Sequence, residues 1–167
     1  MSILLEHAHD SMLIKEMSVL DNLCFTLDHR LPEVWRSNRL RRGIERECGE
    51  LLESELFSLW PDQLTTPQKY DLIYTRVLLQ KPKVIFCVQP FQGADMELRM
   101  RIWNHLKRLQ EQGTALVILA VNLADSLSLA HQLIRIHRGG PHEYYSREDF
   151  SRLSDTTPWA DFYQHFG

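Results

Sequence analysis

Residues Lys81 to Asp95 read KPKVIFCVQPFQGAD, and within them Val84 to Val88 are five consecutive apolar residues set between Pro82 and Gln89-Pro90. A run this short, rich in β-branched and aromatic side chains and closed by chain breakers at both ends, predicts a buried strand of a parallel sheet. In open α/β sheets ligands bind beyond the carboxyl ends of the strands. The residues that would stand there are Val88 and Gln89, and neither is an acid.

Outward from this strand the pattern becomes regular. Before it, QKYDLIYTRVLLQ places Leu72, Arg76 and Leu79 at helical spacing and ends at Lys81-Pro82. After it, Asp95 can cap a helix whose Leu98, Ile102, Leu106 and Leu109 form one apolar stripe, and Gly113 stops it. TALVILAV, from Thr114, predicts a second buried strand, NLADSLSLAHQ a short helix, LIRIHR a third strand, and Gly139-Gly140-Pro141 a turn. Strand, helix, strand, helix, strand is the order of an α/β domain with a parallel sheet. Ser146 with Asp149 makes a capping-box pattern, so the tail is expected to hold a short helix.

Toward the amino terminus, residues 1 to 30 are mixed: a short apolar start, then a helical turn or two around EMSVLDNLCF. Pro32 suits a first helical position, and Leu40, Ile44, Cys48, Leu52 and Leu56 recur every four residues, predicting a long helix with Gly43 and Gly49 as its weak points. LWPDQLTTPQ reads as the clearest internal loop. No repeat or low-complexity tract interrupts this order.

The whole chain of 167 residues is long enough for one domain with a real core, and 44% hydrophobic with 25% charged content is that of a globular protein. Nothing approaches the roughly 18 to 20 continuous apolar residues of a membrane span, and MSILLEHAHD lacks the basic start and cleavage site of a signal peptide. Cys24, Cys48 and Cys87 are odd in number and scattered, which predicts reduced, packed thiols and a cytoplasmic setting. A formal charge of −3 gives no general attraction to nucleic acid. The local exception is Arg36, Arg39, Arg42 and Arg46, near one stripe of the predicted helix. It reads as a solvated face balanced by downstream glutamates, or as a docking face for an acidic partner.

The motifs then have a familiar order. LTTPQKYDLIYTRVLLQKPKVIFCVQP, FQGAD and LVILAVNLADSLSLAHQLIRIHRG resemble, in register, the second half of the ATP-binding cassette of ABC transporters, most closely the carboxyl-terminal cassette of ribose- and galactose-type importers. They stand where that family has its signature loop, the helix ending in Ala-Arg, the Walker B strand, the D-loop, and the strand ending in the switch His. LLEHAHDSMLIKEMSVLDNL is similar to the Q-loop segment, with Glu6 at the position of its acid and Ser18-Val19 and Asn22 matching its close. The resemblance implies a partial P-loop NTPase-like sheet flanked by helices. Residues 1–167 would be one degenerate domain, with a helical subdomain over 24–63, a core over 64–140 and a tail over 141–167.

The departures decide the expected function. No glycine precedes a lysine or sits in a Gly-x-x-x-x-Gly frame, so no phosphate-cradling P-loop is present, and the resemblance places the segment that would hold it ahead of Met1. Val88 takes the place of the Walker B Asp, and an isopropyl group cannot ligate Mg²⁺. Gln89 takes the place of the catalytic Glu and cannot accept a proton; Val121 takes the place of the switch His. The signature loop is reduced to Leu64-Thr65-Thr66-Pro67: a hydroxyl remains, the glycines are gone and Pro67 has no N–H. Thr65, Thr66, Gln68, Gln89, Glu6 and Asp95 are the remnant positions of a nucleotide site. Gln68 and Tyr70 fall at the helix start, Tyr70 replacing a second Gln.

The same residues offer little to other chemistries. His7 with His9, and His137 with His142, lack a repeated metal spacing, so no metal is expected. A Gly-x-Ser-x-Gly elbow is absent, Cys87 would have to act from inside a strand, and Trp35, Trp60, Trp103 and Trp159 are dispersed rather than arrayed for base stacking. The expectation is a non-enzymatic, catalytically inactive structural or regulatory module of a sugar-type ABC transport system, with no cofactor. It would be cytoplasmic, reaching the membrane only through a permease. Its partners would be a second copy, a full-length ATPase or a permease, contacted through residues 6 to 60 including the arginine stripe. The alternative is an ATP- and Mg²⁺-binding subunit of a composite ATPase whose P-loop a partner supplies.

Overall fold

Val84–Val88 forms the middle strand of a three-stranded parallel sheet in the computed structural model, which describes residues 1–25, 42–44, 46, 49, 52–121 and 124–153. Two compact units, Met1–Leu119 and Ala120–Gly167, divide the chain. In the first unit the order is β1 (Ser2–Leu4), α1 (Ala8–Ser11), α2 (Val19–Cys24), α3 (Thr66–Gln80), β2 (Val84–Val88), α4 (Met96–Glu111) and β3 (Ala115–Leu119). In the second it is α5 (Ala124–Leu127), β4 (Gln132–Arg135), β5 (Glu143–Ser146) and α6 (Phe150–Leu153).

The sheet order is β1-β2-β3, with Ile3 opposite Phe86 and Phe86 opposite Val117. Side chains alternate across a strand, so Leu4, Ile85 and Cys87 share one face, and all three are buried. Against that layer α4 presents Leu98, Ile102, Leu106 and Leu109, the stripe read from its spacing. Its start is fixed as expected: the Leu98 N–H donates to Asp95 Oδ1 at 2.8 Å. Its end falls at Gly113, whose φ of 86° an L side chain would resist.

Two expectations about the strands are corrected. The third parallel strand is Ser2–Leu4, not the segment from Leu133, which forms β4 and pairs antiparallel with β5. Gly139-Gly140-Pro141 turns the chain straight back, and a return that short allows only antiparallel pairing; a parallel strand needs a crossover. The second strand, predicted buried, is half-open: Val117 and Leu119 are 37% and 51% exposed. It lies at the edge of the sheet, and only one of its faces meets α4.

A third correction concerns the long helix expected to run to Leu56. Arg42–Ile44 and Arg46 are helical, but Glu53 is extended and Ser54–Ser58 forms a separate 3-10 turn. That break lets Phe57 enter a cluster with Val19, Leu23, Ile44, Leu52, Leu64 and Leu72. Leu40 and Cys48 lie outside the described residues.

The second unit keeps the predicted tail. Ser146 donates to Asp149 Oδ2 from its N–H at 3.1 Å and its hydroxyl at 2.8 Å, opening a 3-10 turn, Arg147–Asp149, that leads into α6. On its hairpin the Tyr145 hydroxyl donates to Glu143 at 2.7 Å, and His137 lies 3.2 Å from the same oxygen. The Tyr145 bond first, then His137, holds the Glu143 carboxyl below its usual range. Among the described residues no helix is long and apolar enough to cross a membrane.

One buried side chain fixes the approach to the cluster. Asn22 is fully buried; its Oδ1 accepts from the Ile14 N–H at 2.9 Å, and its Nδ2 donates toward the Ile14, Met17 and Ser18 carbonyls at 2.9 to 3.1 Å. It serves a loop that has no secondary structure to pair its own polar groups. Replacing it strands several of them, so Asn22→Ala should lower stability by about 2 kcal/mol in urea unfolding, and Asn22→Asp should not restore it. Cys87 is buried on the covered face, and burial pushes its thiol up to about 12. Thiolate is therefore scarce at pH 8, and a chromogenic disulfide reagent should label Cys87 only after unfolding.

Candidate functional site

The carboxyl ends of β1 and β2 converge on Glu6 and Gln89. Gln89 follows β2 directly, and its N–H donates to the Leu119 carbonyl at 2.8 Å, extending the ladder to β3 by one step. Its side-chain Nε2 donates to Glu6 Oε2 at 3.1 Å. The other Glu6 oxygen lies 3.5 Å from His7 Nε2. Parallel register therefore brings together two positions 83 residues apart in the chain.

The backbone at this end is unusual. His7 and Gln89 both have left-handed conformations, with φ of 51° and 44°, at the matching ends of neighbouring strands. A non-glycine residue there costs of order 1 kcal/mol and needs support from its surroundings. Gln89 has two such supports, the bonds to Leu119 and Glu6. Behind it the chain turns back at once, Gln92 N–H donating to the Gln89 carbonyl at 3.0 Å. Gly93, φ 69°, crosses over His7; a Cβ on it would lie 3.7 Å from the imidazole Cε1.

Chemically this is a closed amide–carboxylate pair rather than a free acid. Val88 turns its apolar side chain to the opposite face from Cys87. Gln89 has no proton-accepting nitrogen, and one of its donors is committed to Glu6. Of the remaining remnant positions, Thr65 caps α3: its N–H donates to Gln68 Oε1 at 2.9 Å and its hydroxyl to the same atom at 3.0 Å. Thr66 is exposed at the first turn. Asp95 uses its carboxylate on the start of α4. Val121 is exposed in the second unit, Arg42 and Arg46 are exposed, and Arg36 and Arg39 lie outside the described residues. Among the described residues, two pairs of these positions are bonded, Glu6 with Gln89 and Thr65 with Gln68.

The polar link of Asp71, Arg101 and His105 was not singled out from the sequence. Asp71 of α3 accepts from Arg101 at 2.9 Å and lies 2.8 Å from His105 Nε2, both on α4. A carboxylate facing Arg101 can only accept, so His105 donates from Nε2. The His105 ring stacks on Tyr74 at 5.0 Å and Tyr74 on Tyr70, while His9 meets Tyr70 at a tilt of 34°, its Nδ1 3.2 Å from the Tyr70 hydroxyl. Burial first, then Cys87 and Tyr70, raises the Tyr74 phenol well above its ordinary value; burial first, then Asp10, raises Tyr70. Arg76, buried on α3, donates to the Met12 carbonyl at 2.6 Å, and burial lowers its pKa. The available signal was positional: Asp71 and Arg76 fall inside a helix that is apolar on nearly every side, and His105 sits within the leucine stripe of α4. Among the described residues no three His, Cys, Asp or Glu side chains gather in a metal-binding arrangement.

Comparison with known proteins bears on the fold. No family model matches the chain. A sulfate/thiosulfate import ATP-binding protein of Xanthomonas campestris is 29% identical over 129 residues, covering 76% of this chain and 38% of that protein. A trehalose/maltose import ATP-binding protein of Thermococcus litoralis is 29% identical over 143 residues, 81% of this chain and 37% of that protein. A ribose import ATP-binding protein of Ruegeria is 24% identical over 107 residues, 64% of this chain and 20% of that protein. Among solved structures, a dimeric ATP-binding cassette in a post-hydrolysis state bound to ADP and Pi superposes with a TM-score of 0.66 at 21% identity, over 87% of this chain and 63% of that one. The relatives are ABC import ATP-binding proteins and the fold is that of an ABC cassette. The chain spans less than half the length of these curated relatives.

Substitution at the site tests its closure. Gln89→Glu would set a second carboxylate about 3 Å from Glu6, and the like charges should lower stability by about 1 kcal/mol at pH 7, discounted for the solvent that reaches Glu6. In that variant the pair's folded pKa lies above its unfolded value, so the lost stability should return as pH falls through the carboxylate range. Parallel urea titrations at pH 7 and pH 4.5 give the comparison. Gln89→Gly should be more stable than Gln89→Ala by about 1 kcal/mol, since glycine relieves the left-handed backbone.

Proposed function

We propose that this chain is a catalytically inactive module of the ABC-cassette type, acting by contact with a partner in an import system rather than by turning over ATP. The relatives support the coarser part, an ATP-binding-cassette module of import systems. The finer part rests on one observation: where the β2 strand ends, Val88 is followed by a Gln89 whose amide is bonded to Glu6. Phosphoryl transfer needs a carboxylate on Mg²⁺ and a group that orients the attacking water. The carboxylate bonded at this point is Glu6, which faces the Gln89 amide and His7.

The partner in this reading is a full-length ATPase, a permease or a second copy, met through residues 6 to 60. Arg42 and Arg46 are exposed there, which suits an acidic surface. The solutes named for the relatives range from sulfate to trehalose, so the transported solute is left to the partner.

Titration calorimetry with ATP and Mg²⁺, and again with ADP, tests the reading. No heat at millimolar nucleotide is the expected result. Micromolar, metal-dependent binding would overturn it. Arg39→Glu with Arg42→Glu should weaken co-purification of the partner; an unchanged yield counts against that face.

A second reading has the chain completing a composite ATPase with a P-loop lent by another chain. Thr65 and Thr66, exposed at the start of the 15-residue α3, favour it, because a helix amino terminus attracts phosphate. Against it, the Thr65 hydroxyl and N–H are both engaged by Gln68, and Pro67 offers no donor. This reading requires that adding the chain raise a partner's ATPase rate and that Thr65→Arg abolish the gain.

A further inference from the structure

We draw no further inference here: the strongest candidate, the open apolar face of the three-stranded sheet formed by Ile3, Phe86 and Val117 with Val88 and Leu119, carries none, because nothing in the structure shows what covers it.

Discussion

Parallel register at β2 is the constraint from which the rest of the first unit follows. Pairing Leu4 with Cys87 and Cys87 with Ile118 decides which side chains face α4 and which remain open. It also carries the chain's first strand across to a partner more than eighty residues away, so that Glu6 and Gln89 end side by side. A one-residue slip would turn Ile85 and Cys87 outward and dissolve the covered layer, so the buried face holds the register.

On that sheet the site and its absences can be weighed together. A parallel sheet concentrates its loops at the carboxyl ends of its strands, and this one places an amide against a carboxylate there. The amide donates to one oxygen of that carboxylate, so the bond joins the ends of two strands. The link from α3 to α4 is polar as well as apolar: Asp71 binds two α4 side chains, and the His105 ring stacks on Tyr74.

Legibility in the sequence depended on how local each signal was. The α4 stripe, the Asp95 cap, the Gly113 stop and the Ser146–Asp149 box were readable because each is set within a few residues. The strand at Ser2–Leu4 was not, because three residues have no detectable period and their partner is remote. β4 was mistaken for a parallel strand because its composition resembles that of β2, and only the short glycine turn shows the difference. At the candidate site, Glu6 and Gln89 were identified as positions, but their mutual bond was not, since nothing in either segment encodes the other. Asn22 was noted by its resemblance and its work was not, because a buried amide shows what it holds only when the loop around it is seen.

That loop has a mechanical consequence. Arg76 of α3 grips the Met12 carbonyl, and Asn22 of α2 grips Ile14, Met17 and Ser18. Two helices therefore hold one short stretch of chain by four of its residues, and the stretch cannot yield without straining both. Lys15 and Glu16 project from it into solvent. A push delivered there would not be absorbed as local bending. It would arrive at α2 and α3 as a single torque, making this stretch a stiff handle on the helical layer.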